Sequence, residues 1–340
     1  MVRRGLLALV LGLLAGCHSS PARSEGSISL PDSLSLHYSV IGNGGDTVIV
    51  LHGGPGLQSE YLIGPLSSLA SNHTLIFYDQ RGRGQSDAVT DSLQLSPDSD
   101  VADLETVRQF FRLSHLTLIG HHWGAAVAGL YAIKYPDRVS RIIMLSPFFV
   151  HPSFSFEMAM LRTDTAANRR MAEARARQQS PADAPVFCRE HWSAYFAPIP
   201  LDPRTPVEAI ARTICRESPA RLFAVEQVNR YMLRQLGYWS WRVALHDVRI
   251  PVLVIEGSGN VMVESAAARW AQHLPNARVL LVQPPYLFPW IGDPETFTRE
   301  VEQFLSGSWP GSSIKPEPYD TASPAASSPQ TPTSPRDTTT

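Results

Sequence analysis

A mostly parallel, doubly wound α/β sheet interrupted by one helical insertion is the fold class predicted by this chain of 340 residues. Three observations carry the prediction. Short β-branched and aliphatic runs recur along the chain, helix-period stretches separate most of them, and between residues 147 and 249 the strand rhythm gives way to Ala-, Arg- and Gln-rich helical sequence. Alternation of the first kind buries each strand on both faces and packs helices against a parallel sheet. A structureless loop of about a hundred residues does not fit a compact domain, so the interruption reads as a helical lid folded over the sheet.

Taken in order, the chain opens with MVRRGLLALVLGLLAGC. Arg3 and Arg4 form a positive start, and residues 5–14 are an apolar stretch too short to span a bilayer as a mature helix, which is the pattern of an export signal. Leu14-Ala15-Gly16-Cys17 resembles the lipobox of bacterial lipoproteins, in which the cysteine after the cleavage site is acylated. Residues 1–17 are therefore expected to be signal peptide and lipobox, with Cys17 as a membrane anchor; an ordinary signal peptide with a chance cysteine is the alternative. His18 stands where inner-membrane retention uses Asp, which favours an outer-membrane address in a bacterial cell envelope. Residues 18–26 read as a tether.

The first core segment, 27–147, contains TVIVL at 47–51, TLIFY at 74–78, LTLI at 116–119 and RIIML at 141–145. Each is a strand candidate. Between the second and third, Ser96 can cap a helix whose first turn holds Pro97, with Val101, Leu104, Val107 and Phe111 on one face. Another helix spans 123–135 and is stopped by Pro136. The lid is expected over 148–248, with helices near 171–179 and 220–236. The second core segment, 249–308, adds PVLVI at 251–255 and VLLV at 279–282. From Pro310 onward, seven Pro, six Ser and six Thr in 31 residues leave nothing to build a core, so 309–340 reads as a disordered tail.

Composition narrows the function classes. With 29 Lys+Arg against 31 Asp+Glu the formal charge is -2, so no basic stripe of the kind that nucleic-acid binding needs is present, and no nucleic-acid partner is expected. Three cysteines are too few for a disulfide scaffold or a four-cysteine zinc site. Cys188 and Cys215 both fall in the lid, and in an exported chain whose third cysteine carries lipid a disulfide between them is expected; two buried thiols are the alternative, because spacing does not establish geometry.

Three strand ends carry motifs. HGGPG at 52–56 follows the first core run, DQRGRGQS at 79–86 follows the second, and GHHWGAAVA at 120–128, with Tyr131 and YPDRV at 135–139, follows the third. On these motifs and their order the chain resembles the proline iminopeptidase branch of the α/β-hydrolases over roughly residues 28–306. That resemblance implies an α/β-hydrolase fold with a lid between the sixth and seventh strands, and a Ser-His-Asp triad served by an oxyanion hole. The family's G-x-S-x-G turn reads Gly120-His121-His122-Trp123-Gly124 here, placing His122 at the nucleophile position. The acid position after the seventh strand holds Asn260, and the base position holds Leu287, within Tyr286-Leu287-Phe288-Pro289-Trp290. No histidine follows His273, and Leu145-Ser146-Pro147 supplies no carboxylate after the sixth strand.

The resemblance further implies oxyanion donors from the Trp123 N–H and from Gly53 or Gly54, with Ser258 and Tyr286 as pocket residues. The expectation is a catalytically degenerate hydrolase that binds a small-molecule or peptide-like ligand bearing an amine or carbonyl. Two alternatives stand beside it: an enzyme whose chemistry centres on His122, and a surface scaffold that meets a partner through its lid or tail. His52, His121 and His122 as zinc ligands are disfavoured, because neighbours at a sharp turn point in different directions and no carboxylate lies at ligand spacing. No metal and no cofactor are expected, and the sequence does not indicate an oligomeric state. Lid carboxylates Glu157, Glu190, Glu208, Glu217 and Glu226 are available to a ligand amine, and Trp192, Tyr238, Trp239 and Trp241 to a pocket lining or a partner.

Overall fold

The computed structural model describes residues 23–152, 165–177, 184–196, 207–215, 222–258, 263–283 and 287–317. Eight strands form one sheet: β1 (Arg23–Ser29), β2 (Ser35–Ile41), β3 (Asp46–Leu51), β4 (His73–Tyr78), β5 (Leu116–His121), β6 (Val139–Leu145), β7 (Val252–Gly257) and β8 (Ala277–Val282), ordered β1-β2-β4-β3-β5-β6-β7-β8. From β4 to β8 every pairing is parallel, and only β1 and β2 run antiparallel to their neighbours. The fold class expected from the apolar runs is the fold observed.

The two-residue period of each strand divides the core. Ile49, Leu51, Leu118, Met144 and Val254 join one cluster with Trp123 and Trp270, while Val48, Val50, Ile143, Leu253 and Ile255 join a second with Phe297 and Val301. Helices cover both faces. They are α1 (Glu60–Leu66), α2 (Pro97–Phe110), α3 (Trp123–Lys134), then the lid helices α4 (Thr165–Arg177), α5 (Ala184–Phe196), α6 (Val207–Ile214), α7 (Leu222–Leu236) and α8 (Arg242–Leu245), followed by α9 (Val263–His273) and α10 (Pro294–Leu305). Ser96 caps α2 in a reciprocal box with Ser99, and Pro97 occupies its first turn, where its missing N–H leaves no bond unmade. In the lid, a disulfide joins Cys188 of α5 to Cys215 just after α6, and both residues are buried. Among the described residues no helix is long and apolar enough to cross a membrane.

Both ends of the globule reach further than the sequence suggests. Arg23 already pairs with Ile41, so β1 begins inside the segment 18–26 read as a tether. Its alternation of polar residues conceals it: along β1 only Ile28 is buried, as befits an edge strand. At the other end, Trp309 stacks near Phe304 and Ile314 exchanges two 2.8 Å backbone hydrogen bonds with Val279, so the first residues of the stretch 309–340 cover the open edge of β8. Residues 1–22, with Cys17, and 318–340 lie outside the described residues.

Candidate functional site

The site stands on the carboxyl ends of β3, β5, β6 and β7, where a parallel sheet offers a crevice between its strand-to-helix turns. Its centre is the turn from β5 into α3. His122 sits at the tip with φ 47° and ψ -106°, a conformation that non-glycine residues rarely adopt, held by its N–H to the Leu145 carbonyl at 2.9 Å and by its own carbonyl accepting from Phe148 at 3.0 Å. The turn closes only because Gly124 has no side chain, since a Cβ there would lie 2.3 Å from the Leu51 carbonyl oxygen. Trp123 opens α3, so its N–H has no partner within the helix and points to the crevice side of the turn.

Two histidines beside the tip are committed to structure. His121 Nε2 lies 2.6 Å from the Leu287 carbonyl, which can only accept, so Nε2 carries the ring proton. Nδ1 then accepts from the Tyr61 hydroxyl at 2.5 Å, and the Tyr61 oxygen accepts from the Gly53 N–H at 2.8 Å. The Gly53 N–H is thus engaged by Tyr61, so of the two glycines expected as oxyanion donors Gly54 is the remaining candidate. Gly53 is glycine for a steric reason too, since a Cβ would meet His121 Nδ1 at 2.8 Å. His52 donates from Nδ1 to the Gly53 carbonyl and accepts at Nε2 from the Gln80 N–H, both at 3.0 Å. Burial holds the pKa of His121 near 3, helped by neighbouring His122, and that of His52 near 4 against the attraction of Asp79.

His122 differs from both. Part of its surface remains accessible, yet its ring is enclosed enough that burial lowers its pKa to about 4, opposed by a hydrogen bond to the Gly54 backbone. At neutral pH it is an uncharged imidazole at the mouth of the turn. Phe148 packs edge-on to it at 5.3 Å and is itself stacked on Trp239 of the lid at 5.7 Å, so an aromatic wall closes one side. Asn229 of α7 accepts from the Gly56 N–H at 2.8 Å and ties the lid to the HGGPG loop.

Behind the turn lies a buried ionic network. Arg83 donates to both oxygens of Asp100, at 2.7 and 3.0 Å, and to the Pro55 carbonyl at 2.9 Å; Asp100 also accepts from the Trp123 indole at 2.8 Å. Both partners of the ion pair are fully buried. Thus the DQRGRGQS loop, the HGGPG loop and α3 are fixed to one another by charge-assisted bonds.

Leu287 is buried with φ 67°, and its carbonyl accepts from His121. Ser146 is buried at the end of β6 with φ 43°, and its hydroxyl makes no hydrogen bond among the described residues. Glu256 is buried at the end of β7, and Ser258 donates its N–H to the Val282 carbonyl at 2.8 Å. Asn260 and Tyr286 lie outside the described residues, as do Glu157 and Glu217 and the side chain of Glu226. Glu190 and Glu208 are exposed, Trp192 is buried, and Tyr238 is 82% exposed. Sequence reasoning missed Tyr61, Asn229 and Phe148, which belong to no motif. Among the described residues no three His, Cys, Asp or Glu side chains converge as a metal site requires, and His52 and His121 have both ring nitrogens engaged.

A strand, a sharp turn and a helix beneath a helical lid, on the carboxyl edge of a mostly parallel sheet, define a hydrolase-type α/β protein. The chain belongs to the alpha/beta hydrolase fold family, whose pattern matches residues 46–289. It is similar to the proline iminopeptidase of Heyndrickxia coagulans, 40% identical over 111 residues, which are 32% of this chain and 38% of that protein. Over a longer stretch it is similar to the proline iminopeptidase of Chitinophaga pinensis, 26% identical over 246 residues, 68% of this chain and 80% of the relative. The first curated relatives are matched over about two-fifths of their length. The crystal structure of a Mycobacterium smegmatis proline iminopeptidase shares the fold with a TM-score of 0.60 at 21% identity, covering 83% of this chain and 98% of that one.

Proposed function

We propose that this protein is a membrane-anchored, catalytically degenerate relative of the proline iminopeptidases, which holds a small amine- or carbonyl-bearing ligand in the crevice beneath its lid and does not hydrolyse it. The observation that carries the reading is His122 at the tip of the turn, where the family's chemistry needs an activated hydroxyl. Leu287 at the base position offers only a carbonyl, already bonded to His121, and Asn260 at the acid position has no carboxylate. A site stripped of its triad retains roughly a 1,000- to 10,000-fold effect over water from backbone donors and positioning, which is too little for a working peptidase. The backbone donors and the network behind the turn do not depend on the lost groups, so a binding crevice can outlast them.

Two experiments test the reading. Purified protein should remain unlabelled by fluorophosphonate probes and release no chromophore from proline arylamides. A screen of peptides, amino-acid amides and small esters should raise the melting temperature by roughly 5–11 °C at 100 times the dissociation constant. Turnover that disappears in His122→Ala but survives Ser258→Ala would replace binding by chemistry at the neutral His122 imidazole. As for location, the Leu14-Ala15-Gly16-Cys17 sequence supports a lipid anchor at Cys17 in the bacterial cell envelope, on the outer-membrane side. Cys17→Ser should then abolish fatty-acid labelling and release the protein from membranes.

A further inference from the structure

We infer that the crevice opens away from the bilayer that anchors the protein, so that its ligand arrives through the aqueous phase and is not a lipid resident in the membrane. This rests on the Cys17 anchor proposed above and adds the direction in which the site faces.

The first support is the course of the N-terminal strand. β1 pairs antiparallel with β2, which pairs antiparallel with β4, so β1 runs in the same direction as the parallel strands. Arg23 lies opposite Ile41, and Ile41 opposite Leu75, which places the start of β1 at the amino-terminal end of the sheet; His122, Gly53 and Gly54 stand at the carboxyl end. The chain therefore enters the globule from the side opposite the crevice. Six residue steps separate Cys17 from Arg23, and at full extension they reach about 20 Å. A globule of this size has a radius of gyration of about 18 Å and hence a diameter of about 45 Å. For the crevice to face the bilayer, the base of the sheet would have to stand about a full diameter above the lipid, more than twice what the connection allows.

The second support comes from the other end of the chain. Ile314 bridges Val279 in antiparallel sense, so the segment covering the edge of β8 runs from the carboxyl end of the sheet toward its amino-terminal end. Both termini thus head for the same end of the sheet, on opposite edges of it, and the lid lies at the other. Tyr238, 82% exposed, adjoins Trp239, whose ring stacks on the Phe148 beside His122, and so marks the crevice side; exposed Asp46 at the start of β3 marks the base.

The test uses the full-length lipoprotein in vesicles, with a maleimide donor dye at Asp46→Cys or Tyr238→Cys and an acceptor-labelled phospholipid in the bilayer. Energy transfer from position 46 should exceed that from position 238 severalfold. A 30-residue Gly/Ser linker inserted after Ser20 should bring the two closer to equality. Equal transfer without the linker, or stronger transfer from position 238, overturns the orientation. Absence of a fatty-acid label on Cys17 removes the anchor itself, and with it the inference, and is read separately on a gel.

Discussion

Removing one carboxylate behind the turn should unfold the protein far more readily than its size suggests. Asp100 accepts two bonds from Arg83 and one from the Trp123 indole, and no part of the ion pair reaches solvent. Asp100→Ala leaves the Arg83 guanidinium buried without a counter-charge, a loss of about 3–5 kcal/mol when a buried pair is broken from one side. The orphaned indole N–H adds about 1 kcal/mol. Taking about 5 kcal/mol overall, and about 2–4 °C per kcal/mol for a domain of this size, the melting temperature should fall by about 10–20 °C. Trp123→Phe removes the indole bond and part of a buried ring but leaves the ion pair intact, and should be milder than Asp100→Ala. The double change Arg83→Met with Asp100→Leu removes both charges and should recover most of the stability lost by Asp100→Ala. Urea unfolding followed by tryptophan fluorescence gives each value from the midpoint at constant slope. Should Asp100→Ala shift stability by less than about 1 kcal/mol with the slope unchanged, the network does not hold the turn as described.

Three further outcomes follow from the same structure. Burial lowers the folded-state pKa of His52, His122 and His273 to about 4 and that of His121 to about 3, so the unfolded chain binds more protons below its ordinary histidine pKa. Their contribution is complete above about pH 6.5 and is lost as pH falls toward 4, each group adding up to about 1.4 kcal/mol per pH unit; Asp103, raised to about 6 by burial, works against them, and urea midpoints at several pH values between 7.5 and 4.5 should still decline steeply. Replacing Cys188 and Cys215 by Ala frees a loop 27 residues long, for which chain entropy gives about 3.5 kcal/mol, so limited proteolysis should cut the lid before the core. Ile314→Pro deletes the N–H that bonds the Val279 carbonyl and should expose the edge of β8, read as faster aggregation by light scattering at unchanged secondary structure.

How far the molecule could be read from its sequence depended on what each element buries. The strands β3 to β8 are covered on both faces and announce themselves as unbroken apolar runs, and the Ser96-Pro97 start of α2 is equally explicit. The edge strand β1 escaped notice because one buried isoleucine suffices to seat it. At the site, the turn and its two glycines were legible, because backbone geometry constrains residue type there. What Gly53 does was not, since its partner Tyr61 is an unremarked tyrosine in a helix until the fold brings its hydroxyl to 2.8 Å. Likewise Leu287 looks like a mere loss of histidine in sequence, whereas in space its carbonyl fixes the tautomer of His121.

The division of labour at the turn bears on how its tip tolerates substitution. The shape of the turn depends on Gly124 against Leu51, on backbone bonds to Leu145 and Phe148, and on the Arg83–Asp100 pair reaching Trp123. None of these supports passes through the imidazole of His122. A change of side chain at the tip therefore leaves the scaffold that presents it intact, and a hydroxyl introduced at position 122 meets a turn already built to display it. An architecture of this kind separates the means of presenting a reactive group from the group presented.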